Sequence, residues 1–248
     1  MYQSERLEKI MDVLNQYGFV TVKYLIHKLD YSTTTINRDL NVLEQQNLVK
    51  RSYGVVELQE ANAAPLLFRY GTMEKTKSSI AKKAAEFVND GETVFIDGST
   101  TTEAMAKHLI HKKDITIVTN NIALSFYLGK HNIHVVTLGG EMVEAPYILG
   151  GSVAENIAMQ YKADKMFFSS SGVTASGEIH ADDEYETLRR IMFANSKQSF
   201  YLIDSDKVSE NIKKVLFTPK DIDVILSDYH FSEAVKKQYA GTSFIEID

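Results

Sequence analysis

The chain has 248 residues, 44% of them hydrophobic and 24% charged, which is the balance of a globular protein with length for one large domain or two smaller ones. It contains no cysteine, which excludes disulfides, thiolate metal sites and a cysteine nucleophile. Its formal net charge is −6, it opens without an apolar signal region, and no stretch approaches the ~20 apolar residues of a membrane span, so it reads as cytoplasmic.

Residues 1–58 hold seven Lys or Arg against seven Asp or Glu, so the remaining 20 against 26 carries the whole net charge. The front is neutral, and no basic patch announces a nucleic-acid partner. Leu7, Ile10, Met11 and Leu14 make one helical apolar stripe, ended by Gly18. Thr21 caps a second stripe of Val22, Leu25, Ile26 and Leu29. After a short Asp30-Tyr31 turn, Ser32 opens a third helix that buries Ile36, Leu40 and Leu43 and turns Thr33, Thr34, Asn37, Arg38 and Asn41 outward. Two short helices at a tight turn, the second with a free polar face, predict a helix-turn-helix fitted to a major groove. A small helical domain with a solvated face would explain the same stripes. The hairpin predicted at Leu48–Arg51 and Val55–Leu58 tips the balance, since it makes a wing and adds Lys50, Arg51 and Tyr53 to the candidate DNA contacts.

Residues 59–75 break the pattern around Pro65 and Gly71 and read as a linker. From Thr76 to Asp248, helices and strands alternate. Strands are predicted near 93–96, 115–119, 134–138, 165–168, 199–203, 224–226 and 243–247, with helices around 76–89, 102–111, 121–129, 153–161, 182–195 and 231–239. Such alternation predicts an α/β domain with a mostly parallel sheet covered on both faces.

Ligands of open α/β sheets bind beyond the carboxyl ends of strands, and here those ends are rich in Gly and small polar residues. They are Asp97-Gly98-Ser99, Asn120-Asn121, Gly139-Gly140, Ser169-Ser170-Ser171-Gly172, Asp204-Ser205-Asp206-Lys207 and Ser227-Asp228. The stretch Asp97 to Thr102 stands out. A Gly and four hydroxyls in a strand-to-helix turn, where amides are unpaired and the dipole favours negative charge, suit a phosphate. Ordinary capping needs one hydroxyl, not four.

Taken together, these motifs resemble the DeoR type of transcriptional regulator over essentially the full length. Thr35-Ile36-Asn37-Arg38-Asp39-Leu40 stands where the family's recognition helix has Thr-Ile-Arg-Arg-Asp-Leu. Asp97 to Thr102, Val118-Thr119-Asn120, Leu138-Gly139-Gly140, Ala163-Asp164-Lys165, Ser171-Gly172-Val173 and Asp204 to Lys207 follow the sensor motifs in order. The resemblance implies a winged helix-turn-helix over 1–58 and a sugar-phosphate-sensing domain over 76–248 with a fold similar to ribose-5-phosphate isomerase. It also implies a repressor of sugar-metabolism genes whose partners are double-stranded operator DNA and a phosphorylated sugar, working as a homodimer or homotetramer, with no cofactor. Asp97, Ser99, Thr100, Thr101, Thr102, Asn120, Gly139, Gly140, Ser171 and Lys207 are then the candidate effector contacts. Three departures stand out: Asn37 for the first Arg of the pair, Tyr53 where the wing has His, and Val55 for its second Gly. Asn favours an adenine edge where Arg favours guanine or phosphate.

The rival is a sugar-phosphate isomerase in which Asp204, Lys207 and the acidic run Asp182-Asp183-Glu184 supply a base and a stabiliser. The acidic run also suits a helix start, and a fused DNA reader makes turnover unnecessary. His180 beside Asp182 and Asp183 is the best metal-like cluster, but its ligand set is incomplete, so no metal is expected.

Overall fold

The computed structural model describes residues 3–17, 19–45, 48–52, 54–58, 74–144, 147–181, 184–210 and 214–247. The chain divides into two compact units, Met1–Arg69 and Tyr70–Asp248. Tyr53, Asp182, Asp183 and nearly all of the linker lie outside the described residues. The last two linker positions, Glu74 and Lys75, already belong to a helix.

In the first unit, helices α1 (Gln3–Tyr17), α2 (Val22–Leu29) and α3 (Thr33–Gln45) pack over a three-stranded antiparallel sheet. Its strands are β1 (Phe19–Thr21), β2 (Val49–Ser52) and β3 (Val55–Leu58), in the order β1-β3-β2. The predicted stripes meet in one core: Ile10, Leu14, Leu25, Ile36, Leu40, Leu43, Val49 and Val56 are all buried. Thr21 caps α2 by accepting from the Tyr24 amide at 3.0 Å, and Ser32 accepts from the Thr35 amide at 3.2 Å. The turn between α2 and α3 bends at Asp30, whose φ of 56° lies in the left-handed region that Asp tolerates. Strand β1 was not predicted; three residues are too few to show a period.

The second unit is built on a seven-stranded sheet. After helix α4 (Glu74–Ala85) come β4 (Thr93–Ile96), the short helices α5 (Thr100–Glu103) and α6 (Ala106–Leu109), β5 (Thr116–Thr119), α7 (Ile122–Lys130) and β6 (His134–Thr137). A hairpin of β7 (Glu141–Glu144) and β8 (Ile148–Gly150) leads into α8 (Gly151–Ala158) and β9 (Ala163–Phe168). Then follow β10 (Gly172–Val173), β11 (Ile179–His180), α9 (Glu186–Ala194), β12 (Ser196–Ile203), β13 (Val215–Phe217), β14 (Val224–Ser227), α10 (Glu233–Gln238) and β15 (Ser243–Glu246). The sheet runs β15-β14-β12-β9-β4-β5-β6 with every pairing parallel.

All seven predicted strands are present, within three residues at each end. The antiparallel pieces sit outside this sheet, as β7–β8 and as β10-β11-β13. The helix expected over 102–111 is broken at Ala104 and Met105 into α5 and α6. Chain order turns back between β4 and β9: β4 leads out to β5 and β6, and β9 leads the other way to β12, β14 and β15. That reversal opens a crevice at the carboxyl ends of β4 and β9, the switch point where such sheets take their ligands.

At the opposite, amino-terminal edge of the sheet, Asp164 and Lys165 of the Ala-Asp-Lys motif act as structural fasteners. Asp164 accepts from the Thr93 amide at 3.0 Å, and buried Lys165 pairs with Glu92.

Candidate functional site

The first unit offers a surface. On α3, Thr33, Thr34, Arg38 and Asn41 are exposed while Ile36, Leu40 and Leu43 are buried, so the predicted reading face is open as the period required. Asn37 is half-buried and its amide donates to the Thr33 carbonyl at 2.9 Å. Lys50 on β2 is exposed. Arg51 is engaged within the unit: it donates to Glu44 Oε2 at 3.0 and 2.7 Å and also to Asn41, tying the wing strand to α3 and lowering the Glu44 pKa. Asn41 and Arg51 therefore set the angle between helix and wing as well as lying near the reading face. Lys23 and Lys28 of α2 are exposed as well.

Beneath that face lies a buried ion pair that sequence reasoning also missed. Asp39, fully buried, accepts from Arg6 Nε at 2.7 Å and Nη2 at 2.9 Å, and from Gln3 Nε2 at 3.1 Å. Burial pushes the Asp39 carboxyl up, but the hydrogen bonds and charge of Arg6 outweigh it, so its pKa is lowered. The available signal was spacing: Asp39 stands three residues after Ile36 and beside Leu40, on the buried side.

The second unit offers a crevice, and its centre is Asp97, only 1% exposed. Its Oδ1 accepts from the Ser99 amide at 3.2 Å and the Thr102 hydroxyl at 2.9 Å. Its Oδ2 accepts from the Ser169 amide at 3.3 Å and Arg189 Nε at 3.2 Å. Asp97 thus fastens the β4 loop, the β9 loop and helix α9 together, and its lone pairs are spent on protein donors. Arg189, 1% exposed, was missed, although it falls in the buried stripe of Leu188 and Met192 where a charge is out of place.

The hydroxyls of the β4 loop divide by role. Ser99 caps α5, and the Thr102 hydroxyl lies 2.8 Å from Ser99 Oγ and 3.0 Å from the Asp97 carbonyl, so these two hold the turn. Thr101 Oγ1 is buried without a hydrogen-bond partner among the described residues. Gly98 allows close approach by the hairpin: a Cβ there would lie 2.7 and 2.9 Å from Ile148 carbons and 3.3 Å from Asn120 Nδ2. Asn120 donates to the Leu149 carbonyl at 2.8 Å, leaving its buried Oδ1 unpartnered.

Lys207 reaches the same place, with Nζ 3.4 Å from Ser169 Oγ and 3.6 Å from Asp204 Oδ2. The structure therefore brings together Asp97, Ser99, Thr101, Thr102, Asn120 and Lys207. Ser171 lies on the next turn, where its hydroxyl donates to the His180 carbonyl at 3.3 Å. His180 Nδ1 lies 2.7 Å from the Lys214 carbonyl, a structural role. Gly139 and Gly140 serve the hairpin: Gly140 has φ +136°, and a Cβ there would meet the Gly150 carbonyl oxygen at 2.2 Å. Behind the crevice the Tyr201 hydroxyl lies 2.7 Å from Ser170 Oγ; burial first, then the Asp204 and Asp97 charges, push its pKa up and keep it neutral.

A separate cavity of about 680 Å³ opens between α4, α5, α6 and α7. Thr100 alone of the predicted effector residues lines it, beside Glu103, Tyr127, Tyr147 and Lys77, a lysine only 4% exposed. Lys107, Ser78, Ile122 and Phe126 also line it, so that its wall carries three charged side chains among apolar and aromatic ones.

A helix-turn-helix with an open polar face, joined in one chain to a parallel α/β unit with a polar crevice at its switch point, is the make-up of a ligand-responsive DNA-binding regulator. Residues 6–62 match the family model of the DeoR-like helix-turn-helix domain, and residues 72–229 match that of the DeoR C terminal sensor domain. The chain belongs to the DeoR family of transcriptional regulators. It is 33% identical to the HTH-type transcriptional repressor GlcR of Bacillus subtilis (strain 168), covering 92% of this chain and 89% of that one. It is 29% identical to the Glycerol-3-phosphate regulon repressor of Escherichia coli (strain K12), with 92% of each covered. A ribose-5-phosphate isomerase solved with phospho-erythronic acid aligns to 55% of each chain at 17% identity, with a TM-score of 0.43, a likeness that carries no argument about activity. Among the described residues no helix is long and apolar enough to cross a membrane.

Proposed function

We propose that the protein represses sugar-metabolism genes, leaves its operator when a phosphorylated sugar enters the crevice of the second unit, and turns nothing over. The observation that carries this reading is the pairing in one crevice of a half-buried ammonium, Lys207, with a hydroxyl-bearing loop at the switch point, in a chain that also carries a DNA reader. Lys207 supplies the charge for the phosphate. Thr101 faces the phosphate with an unspent hydroxyl and Asn120 faces the sugar with an unspent acceptor, while Ser99, Thr100 and Thr102 shape the loop and Ser171, Gly139 and Gly140 hold its surroundings. Arg38, Thr33, Thr34, Asn37 and Lys50 contact operator DNA, with Arg51 and Asn41 positioning the wing. The relatives' names support repression, and one of them carries a phosphorylated polyol. A single winged helix reads a short site weakly, so two or four copies act on paired half-sites.

The test is fluorescence anisotropy of the protein–operator complex titrated with a panel of sugar phosphates. One of them dissociates the complex, and Lys207→Met raises the concentration required by about tenfold, or ~1.4 kcal/mol. A panel in which nothing releases the operator overturns the reading.

A further inference from the structure

Two carboxylates are buried at this crevice, and their surroundings differ. Asp97 has four protein donors within 3.3 Å. Asp204, 2% exposed at the end of β12, has Oδ2 with no hydrogen-bond partner among the described residues. Its neighbour Lys207 stands at 3.6 Å, which balances charge but is too long for a hydrogen bond, and the same ammonium is directed to Ser169 Oγ. A buried carboxylate oxygen without a donor is costly, and the cost is relieved by a ligand that brings one. Asn120 repeats the pattern on the other side of β4. Its Nδ2 must face the Leu149 carbonyl, because only the nitrogen can donate there, so Oδ1 is an acceptor left over.

Both unspent groups are acceptors. A phosphate has only oxygens to offer and is repelled by a carboxylate, whereas a sugar hydroxyl donates. We infer that Asp204 is the specificity-determining residue that reads a hydroxyl of the effector, with Asn120 as a second acceptor, while Lys207 takes the phosphate. This rests on the phosphorylated-sugar reading and adds to it which end of the ligand lies where: the hydroxyl-bearing carbon chain toward Asp204 and the phosphate on the far side of Lys207. The bond made is a charge-assisted O–H to carboxylate hydrogen bond, short and strong in a site shielded from water.

The experiment is calorimetry on the full chain with inorganic phosphate, the sugar phosphate that best releases the operator, and deoxy analogues of it that each lack one hydroxyl. One deoxy analogue binds wild type weaker by about tenfold or more. Asp204→Ala binds that analogue and its parent alike, because the hydroxyl no longer has a reader, and inorganic phosphate binds the variant no more weakly than wild type. A purely structural role would weaken every ligand together and leave the preference intact. Should Asp204→Ala not fold, the deoxy series on wild type and the milder Asp204→Asn decide the matter. If no sugar phosphate binds wild type, the functional reading itself fails. If sugar phosphates bind but no deleted hydroxyl matters, or the variant keeps the wild-type preference, only the role of Asp204 is wrong.

Discussion

Helix α3 of the first unit and the β4 loop of the second are both rich in hydroxyls, yet one is open and the other closed. Thr33, Thr34 and Arg38 stand exposed on a helix whose acid, Asp39, is locked beneath it by Arg6. Ser99, Thr101 and Thr102 are buried, and the acid beside them, Asp97, holds the loop itself. A duplex is too large to be enclosed, so its reader must be rigid from below and open above. A small effector is enclosed, so its reader is assembled from buried groups whose satisfaction within the protein must be incomplete. Substitutions on the open face should therefore alter binding without altering stability, and those in the crevice should alter both.

The largest effect falls on the crevice. Arg189→Met keeps the stem but strips the buried Asp97 of its cation, with both side chains 1% exposed, and should destabilise the second unit by about 3 to 5 kcal/mol. Thermal unfolding followed by calorimetry checks this; a loss under about 1 kcal/mol would mean that the amides and the Thr102 hydroxyl suffice for Asp97.

Asp39→Ala is the matching cut in the first unit. Arg6 is 10% exposed and can turn to water, so the loss should be about 3 kcal/mol, the low end for a broken buried pair. The pH dependence carries a sign. Because the folded pKa of Asp39 is lowered, its contribution is present above the unfolded value of about 3.9 and is lost as pH falls through the folded value. Acid titration of stability should show that limb in wild type and not in Asp39→Ala.

On the open face, Arg38→Ala should weaken operator binding by about 1 to 3 kcal/mol and, if it holds a phosphate, flatten the salt dependence by about one unit. Its melting curve should overlay wild type. A stability loss comparable with the binding loss would erase the contrast between the two regions.

Thr101→Val gives the smallest effect, and it runs in opposite directions. Removing a buried hydroxyl that has no partner should raise the stability of the second unit by about 1 kcal/mol while weakening the sugar phosphate. A destabilised variant would mean that the hydroxyl is satisfied after all.

What the sequence determined by itself was periodic or local. The stripes Leu7–Leu14, Val22–Leu29 and Ile36–Leu43 follow from spacing, because burial of one helix face repeats every 3.6 residues, the caps at Thr21 and Ser32 from their place ahead of those stripes, and the seven strands of the parallel sheet from short apolar runs between helical stretches. The exposed face of α3 followed from the same rule. Tertiary structure decided which polar side chains are free to meet a ligand. Nothing local says that Thr102 folds back onto Asp97 while Thr101 stays unpartnered, that Arg51 is drawn to Glu44, or that Asp97 is satisfied by Arg189, 92 positions along the chain, while Asp204 is left with a spare oxygen. A hydrogen bond joins groups brought within about 3 Å by the packing of distant elements, and that distance has no period in the sequence.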